Sequence, residues 1–164
     1  MTAEQYIQYL QLEPHPEGGF YKETYRSTGT ISQTCLHGFS GDRSYSTAIY
    51  FLLQQGDFSA FHRIKSDETW HFYTGGALLI HVIEPAGNYY CIRLGSNIEH
   101  SELFQFVVPA GAWFTSEPAP ETGYALVGCT VAPGFDFNDF EMAAEEKLLG
   151  EYPLHAEVIS RLCR

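Results

Sequence analysis

The stretch GDFSAFHRIKSDETWHFYTG, residues 56–75, decides how this chain is read. Glycines stand at both ends, Gly56 and Gly75, with His62 and Glu68 between them. On either side of the polar Lys65–Glu68 segment lie two strand-like runs, Phe58–Ile64 and Thr69–Tyr73, rich in rings and β-formers. Further strand-like runs flank them at Phe20–Arg26, Tyr45–Leu53, Leu78–Ile83, Tyr89–Leu94, Phe104–Val108, Trp113–Thr115 and Tyr124–Val131. Turn signals separate most of them: Gln55-Gly56-Asp57, Gly75-Gly76, Ala86-Gly87-Asn88 and Pro109-Ala110-Gly111. Short strands at regular spacing with Gly and Pro punctuation indicate a β-sandwich or barrel. The ends read as helix. Thr2 and Gln5 have capping-box spacing for a helix over 2–12, which Pro14–Gly19 stops. A second helix is predicted over Asn138–Leu149, ending at Gly150, and Pro153 opens a short one through Leu162. The expected organisation is one domain over 1–164, with a barrel at about 20–132 and a helical tail at about 138–163.

Composition agrees and excludes several function classes. With 45% hydrophobic and 18% charged residues the chain can fill a core and is not disordered. A net charge of -11 argues against nucleic acid, which needs a basic stripe, and against anionic membrane surfaces. No apolar run approaches a membrane span and the first residues carry no signal-peptide pattern, so a cytoplasmic protein is expected. Cys35, Cys91, Cys129 and Cys163 form no CxxC pair, which fits reduced thiols, with Cys129 a core residue. The charge is uneven. Residues 20–65 hold Lys22, Arg26, Arg43, Arg63 and Lys65 against Glu23, Asp42 and Asp57, so a small anionic ligand at a barrel mouth remains compatible with the overall acidity.

The pattern Gly56-x5-His62-x-Ile64-x3-Glu68-x6-Gly75 resembles the first motif of the cupins: Gly, five residues, His-x-His, three or four residues, Glu, six residues, Gly. Val107-Val108-Pro109-Ala110-Gly111 resembles the start of the second cupin motif. Pro14–Arg26, Ser46–Leu53, Ser66–Tyr73 and Val127–Phe137 look like signatures of Cupin 5, a cupin family defined as a domain of unknown function, and they span residues 14–140. The resemblance implies an all-β double-stranded β-helix, a jelly-roll barrel, similar in fold to the dTDP-4-keto-sugar 3,5-epimerases. Gly19–Glu23 is similar to a Gly-aromatic-aromatic-x-Glu strand of those enzymes. It further implies that His62 and Glu68 point into the barrel, and that Phe20–Arg26 pairs with a second copy in a homodimer. The chain departs from the metal-binding pattern of three His and one Glu: Ile64 and Phe114 replace two of the histidines, and Leu103 and Pro118 replace other anchors of the second motif.

Several chemistries follow for that pair. A His titrates near neutral pH and a carboxylate can orient it, so His62 as base and Glu68 as its partner could epimerise or isomerise a sugar-like carbonyl compound. A tyrosine would supply the acid: Tyr124, Tyr50 or Tyr73, with no spacing rule to choose among them. Ligand-binding candidates are Glu23, Tyr50, Arg63, Trp70, Gln105 and Phe114, and Phe61, Phe72 and Trp113 could add aromatic walls for a ring or a sugar face. A non-catalytic small-ligand binder is the alternative from a different class. So is an enzyme holding a divalent metal on the reduced set His62 and Glu68; the acid–base reading requires no cofactor. His71 falls on the face opposite Glu68 by strand alternation, and His15, between two prolines, is placed to cap the barrel.

Overall fold

The computed structural model describes residues 1–164. Thirteen strands follow an N-terminal helix α1 (Ala3–Leu10). They are β1 (Glu13–Pro14), β2 (Phe20–Arg26), β3 (Thr30–Ile31), β4 (Arg43–Ser44), β5 (Thr47–Gln54), β6 (Ser59–Arg63) and β7 (Asp67–Gly75), then β8 (Leu78–Ile83), β9 (Tyr89–Leu94), β10 (Gln105–Val108), β11 (Trp113–Pro118), β12 (Tyr124–Ala132) and β13 (Glu141–Met142). Helices α2 (Glu145–Glu151) and α3 (Ala156–Leu162) close the chain. A six-stranded sheet in the order β1-β2-β5-β12-β7-β10 faces a five-stranded sheet in the order β13-β6-β11-β8-β9, and every pairing is antiparallel. This is the expected all-β sandwich of the jelly-roll type.

Alternation along the strands sorts the side chains into three apolar layers. Phe51, Leu53, Trp70, Val127 and Cys129 from one sheet meet Ile80, Val82 and Phe114 from the other between the sheets. Outside the six-stranded sheet, Ala3 of α1 and Leu12 just beyond its end cover Leu52 and Leu126. Its Thr2–Gln5 capping box is formed as the sequence predicts. Outside the five-stranded sheet, Leu148, Ile159 and Leu162 of α2 and α3 cover Phe61, Ile83 and Trp113.

The tail departs from expectation in one place. Residues 138–144 are not α-helical: Phe137–Asp139 is a single 3-10 turn, Glu141 and Met142 pair with Arg63 and His62, and the helix begins only at Glu145 and runs past Gly150 to Glu151. Two interactions outweigh helix propensity here. The backbone of β13 completes the edge of the sheet, and Phe140 turns inward against His62, ring centroids 5.3 Å apart. Pro153 opens a 3-10 turn over Pro153–His155, and the last helix, α3, follows it from Ala156.

Candidate functional site

One end of the sandwich, between β2 and β5 on one side and the 135–140 segment on the other, encloses a cavity of about 310 Å³. Strand parity puts His62 on the inner face of β6 and Glu68 on the inner face of β7, and both line this cavity, as do Ile64 and Cys129. A third group comes from before the first long strand. Gly18 and Gly19 adopt positive φ, and a Cβ on either would collide with the carbonyl of Phe58 or Leu52. That close approach presses the turn onto the barrel, where the Ala60 amide donates to the Glu17 carbonyl (2.8 Å), and it drives the Glu17 side chain inward.

The partner that His62 meets is therefore Glu17. The His62 Nε2 lies 3.2 Å from Glu17 Oε2, while its Nδ1 donates to the Ala60 carbonyl at 2.7 Å. With Nδ1 committed as donor, a neutral His62 presents a lone pair at Nε2, so a proton must sit between Nε2 and the carboxyl. Burial pushes Glu17 up and His62 down, and both shifts favour the neutral carboxyl and the neutral imidazole over an ion pair. The Ser59 hydroxyl donates to Glu17 Oε1 at 2.9 Å, and His15 Nδ1, which accepts the Glu17 amide at 3.3 Å, lies 3.6 Å from Oε2. Glu68 stands beside this pair. Burial raises its carboxyl to about 7 against the pull of His62, and its only side-chain hydrogen-bonding neighbour is the Cys129 thiol, a weak donor. The result is a Glu17–His62 pair sharing a proton, with a second buried carboxyl beside it, at the wall of an open cavity.

The other expected residues scatter. Glu23 lines the cavity and holds Arg26 through both carboxylate oxygens, at 3.0 and 2.7 Å. Phe114 is fully buried behind His62, ring centroids 4.1 Å apart, and backs the site rather than lining it. Trp70 is core, packed edge-on against Phe51 and Phe114. Tyr124 is not an acid for this site: it lies on the outer face under α1, its hydroxyl donating to the Met1 carbonyl. Tyr50 packs on the same outer face, its ring edge-on to that of Tyr73. Gln105 sits exposed on the edge strand with its amide on His71 Nδ1 at 2.7 Å, and His71 faces away from Glu68, on Thr130. Arg63 points outward, its guanidinium over the Trp113 ring and on Glu141. Phe61 and Trp113 lie under α2 and α3, so neither walls the cavity. The phenol that does line it is Tyr21, and Phe135, Phe137 and Phe140 supply its aromatic wall.

The donor set does not fit a divalent ion. Ile64 and Phe114 bring no donors, His62 has both nitrogens engaged, and no three His, Cys, Asp or Glu side chains converge as a metal-binding group. Sequence reasoning missed Glu17. Its signal was the Pro14-His15-Pro16-Glu17-Gly18-Gly19 run, which stops a helix and also folds two titratable side chains back onto a barrel.

Comparison with known proteins agrees with this architecture. The sequence matches the model of the family described as "Cupin superfamily (DUF985)" over residues 4–143. A hypothetical protein from Leishmania major superposes with a TM-score of 0.91 at 39% identity, covering 99% of both chains. Protein SO0799 from Shewanella oneidensis does so with a TM-score of 0.90 at 41% identity, covering 100% of this chain and 98% of its own. The uncharacterized protein YML079W of Saccharomyces cerevisiae is 33% identical over 149 residues, 84% of this chain and 73% of its own length. No helix is long and apolar enough to cross a membrane.

Proposed function

The chain belongs to the DUF985 family of the cupin superfamily, and from that fold and this cavity we propose a small-molecule enzyme that moves protons on its ligand, an epimerase or isomerase of a polar, sugar-like carbonyl compound. Fold alone does not decide among cupin chemistries, so the reading rests on the site. The observation that carries it is the buried Glu17–His62–Glu68 cluster opening onto a cavity of about 310 Å³, the lower end of the usual range for small-molecule sites. A carboxyl poised near neutrality both takes and returns a proton efficiently. Glu68, ionised, removes the proton on the carbon next to the carbonyl. The C–H electron pair moves into the enolate, and the proton shared by Glu17 and His62 neutralises its oxygen. The Tyr21 phenol, which also lines the cavity, gives a proton to the opposite face of that carbon as the enol oxygen returns its proton to the Glu17–His62 pair and the carbonyl re-forms; the tyrosinate then regains a proton from Glu68 through solvent.

The test is solvent exchange. Incubation with a panel of keto sugars and hydroxy ketones in D2O should place deuterium next to the carbonyl, read by mass spectrometry. E68Q and H62A should slow it by about 10²-fold or more. E68Q exchanging at the wild-type rate would overturn the assignment. A ligand that raises the melting temperature but takes up no deuterium would favour a binding protein without chemistry.

We further propose a homodimer through β2. β1 covers only Phe20 and Tyr21 of that strand, leaving the edge from Lys22 to Arg26 open beside the cavity. Light scattering should give about twice the 18.5 kDa chain mass.

A further inference from the structure

The groups around the cavity discriminate among ligands by charge. Four carboxyl side chains line it, Glu17, Glu23, Glu68 and Asp136; Glu17 shares its proton with His62, and the other three face a single cation, Arg26. That cation is committed: its Nε and Nη2 donate to Glu23, and its Nη1 donates to the Phe135 carbonyl at 3.0 Å. Burial holds His15 and His62 in their neutral forms. The cations that the sequence placed at the barrel mouth are committed elsewhere. Arg43 is buried on Asp139, Arg63 binds Glu141, and Lys65 donates to the Gly38 carbonyl and lies 3.7 Å from Asp139; none of the three lines the cavity. An anionic ligand would thus enter a net acidic cavity with no uncommitted positive charge to meet it.

The aromatic wall favours the opposite charge. Phe135, Phe137 and Phe140 pack mutually edge-on, with centroids 5.0 to 6.3 Å apart, and Phe137 stands 54% exposed at the rim beside Asp136. Ring faces and a carboxylate side by side attract a cationic nitrogen. A second observation lies deeper. Glu68 is 8% exposed, lines the cavity and meets neither a cation nor an N–H or O–H donor of the protein, so its carboxylate is left without the counter-charge that a cationic ligand would bring.

We propose that the ligand of this cavity carries a positively charged nitrogen, a protonated amine or a quaternary ammonium on a small polar metabolite, which Phe135, Phe137 and Asp136 admit and Glu68 holds as a carboxylate. The proposal rests on the cavity being the small-molecule site, and it adds the charge class of the substrate to the acid–base reading.

Choline, its uncharged isostere 3,3-dimethylbutan-1-ol and the anionic 3,3-dimethylbutyrate are probes of nearly one shape, and calorimetric titration of the wild-type protein ranks them. Choline should bind about tenfold tighter than the alcohol, with the butyrate weakest. Titration at pH 7 in two buffers of different ionisation enthalpy should show protons released on choline binding, and E68Q should abolish that release. D136N and F137A, both at the rim, should weaken choline about fivefold more than they weaken the alcohol. The alcohol or the butyrate binding as tightly as choline, or none of the three binding, would overturn the charge assignment. None of these results touches the deuterium-exchange assay on keto sugars, which judges the acid–base reading separately.

Discussion

Two histidine–carboxylate pairs in this molecule share one separation and differ in everything around it. His62 meets Glu17 at 3.2 Å between the sheets, and His81 meets Glu117 at 3.2 Å on the outer face of the five-stranded sheet. Burial lowers both imidazoles. Around His81 every group is answered by protein: Nδ1 lies 2.8 Å from the Tyr89 hydroxyl, and Arg161 places its guanidinium on both oxygens of Glu117 at 2.6 Å. Around His62 the carboxyls have no guanidinium in contact, and the second of them, Glu68, faces a cavity. A His–Glu pair is thus not a site by virtue of its residues. It becomes one where the protein leaves a proton unassigned and room for another molecule to take it.

The largest expected effect tests that distinction directly. In the deuterium-exchange assay E68Q and H62A should lose roughly 10²- to 10⁴-fold in rate, the range for losing a general acid or base. H81A should keep the wild-type rate. An equal loss from H81A would show that the outer pair is not merely architectural.

Titration should separate the two environments by sign. Glu68 is raised from its ordinary 4.5 to about 7, so between those values the unfolded chain gives up its proton while the folded protein keeps it. Stability contributed by the protonated carboxyl is complete below pH 4.5 and is lost as pH rises to about 7, on the order of 3 kcal/mol in all. E68Q should remove that decline. His81 is lowered, so below pH 6.5 the unfolded chain takes up a proton that the folded protein refuses, and stability falls as pH falls. H81Q should flatten the acid side and E68Q the neutral side, as read from urea melts between pH 4 and 8.

At neutral pH the outer pair should matter more to folding than to chemistry. H81A strands the Tyr89 hydroxyl and frees one face of Glu117, and should cost about 1–3 kcal/mol in urea unfolding. E68Q, whose amide can still reach Cys129 and the cavity, should cost less at pH 7, so that the variant harmful to stability is the one harmless to exchange.

How much of this was legible in the sequence follows from parity. The cupin resemblance implied the inward aim of His62 and Glu68, and from there the period-2 rule carried the outward aim of His71. Applied consistently it also excludes Tyr124: Cys129 faces the interior, and an odd offset of five along β12 puts Tyr124 outside. Phe61 and Trp113 adjoin the inward His62 and Phe114 in sequence and so must face away. Parity cannot show which inward carboxyl meets which imidazole. Glu17 reaches His62 through a turn that no strand pattern encodes, 42 residues ahead of its Ser59 partner. Nor could composition show that Arg43, Arg63 and Lys65 are spoken for, because their carboxylates, Asp139 and Glu141, arrive from the segment that the helical pattern claimed.

The smallest effect belongs to one of those cations and bounds the comparison from the other side. Arg63 adjoins His62 in sequence, yet its guanidinium lies 4.4 Å above the Trp113 ring and 2.6 Å from Glu141, with its side chain about one-third exposed. Ion pairs that solvent reaches contribute about 0–1 kcal/mol, and an exposed cation–ring contact adds about as much. R63A should therefore shift stability by about 1 kcal/mol or less and leave exchange and choline binding as in the wild type. Were Arg63 instead the anion holder at the mouth, its loss would weaken the butyrate selectively. One residue and one flip of strand parity separate the group expected to matter most from the group expected to matter least.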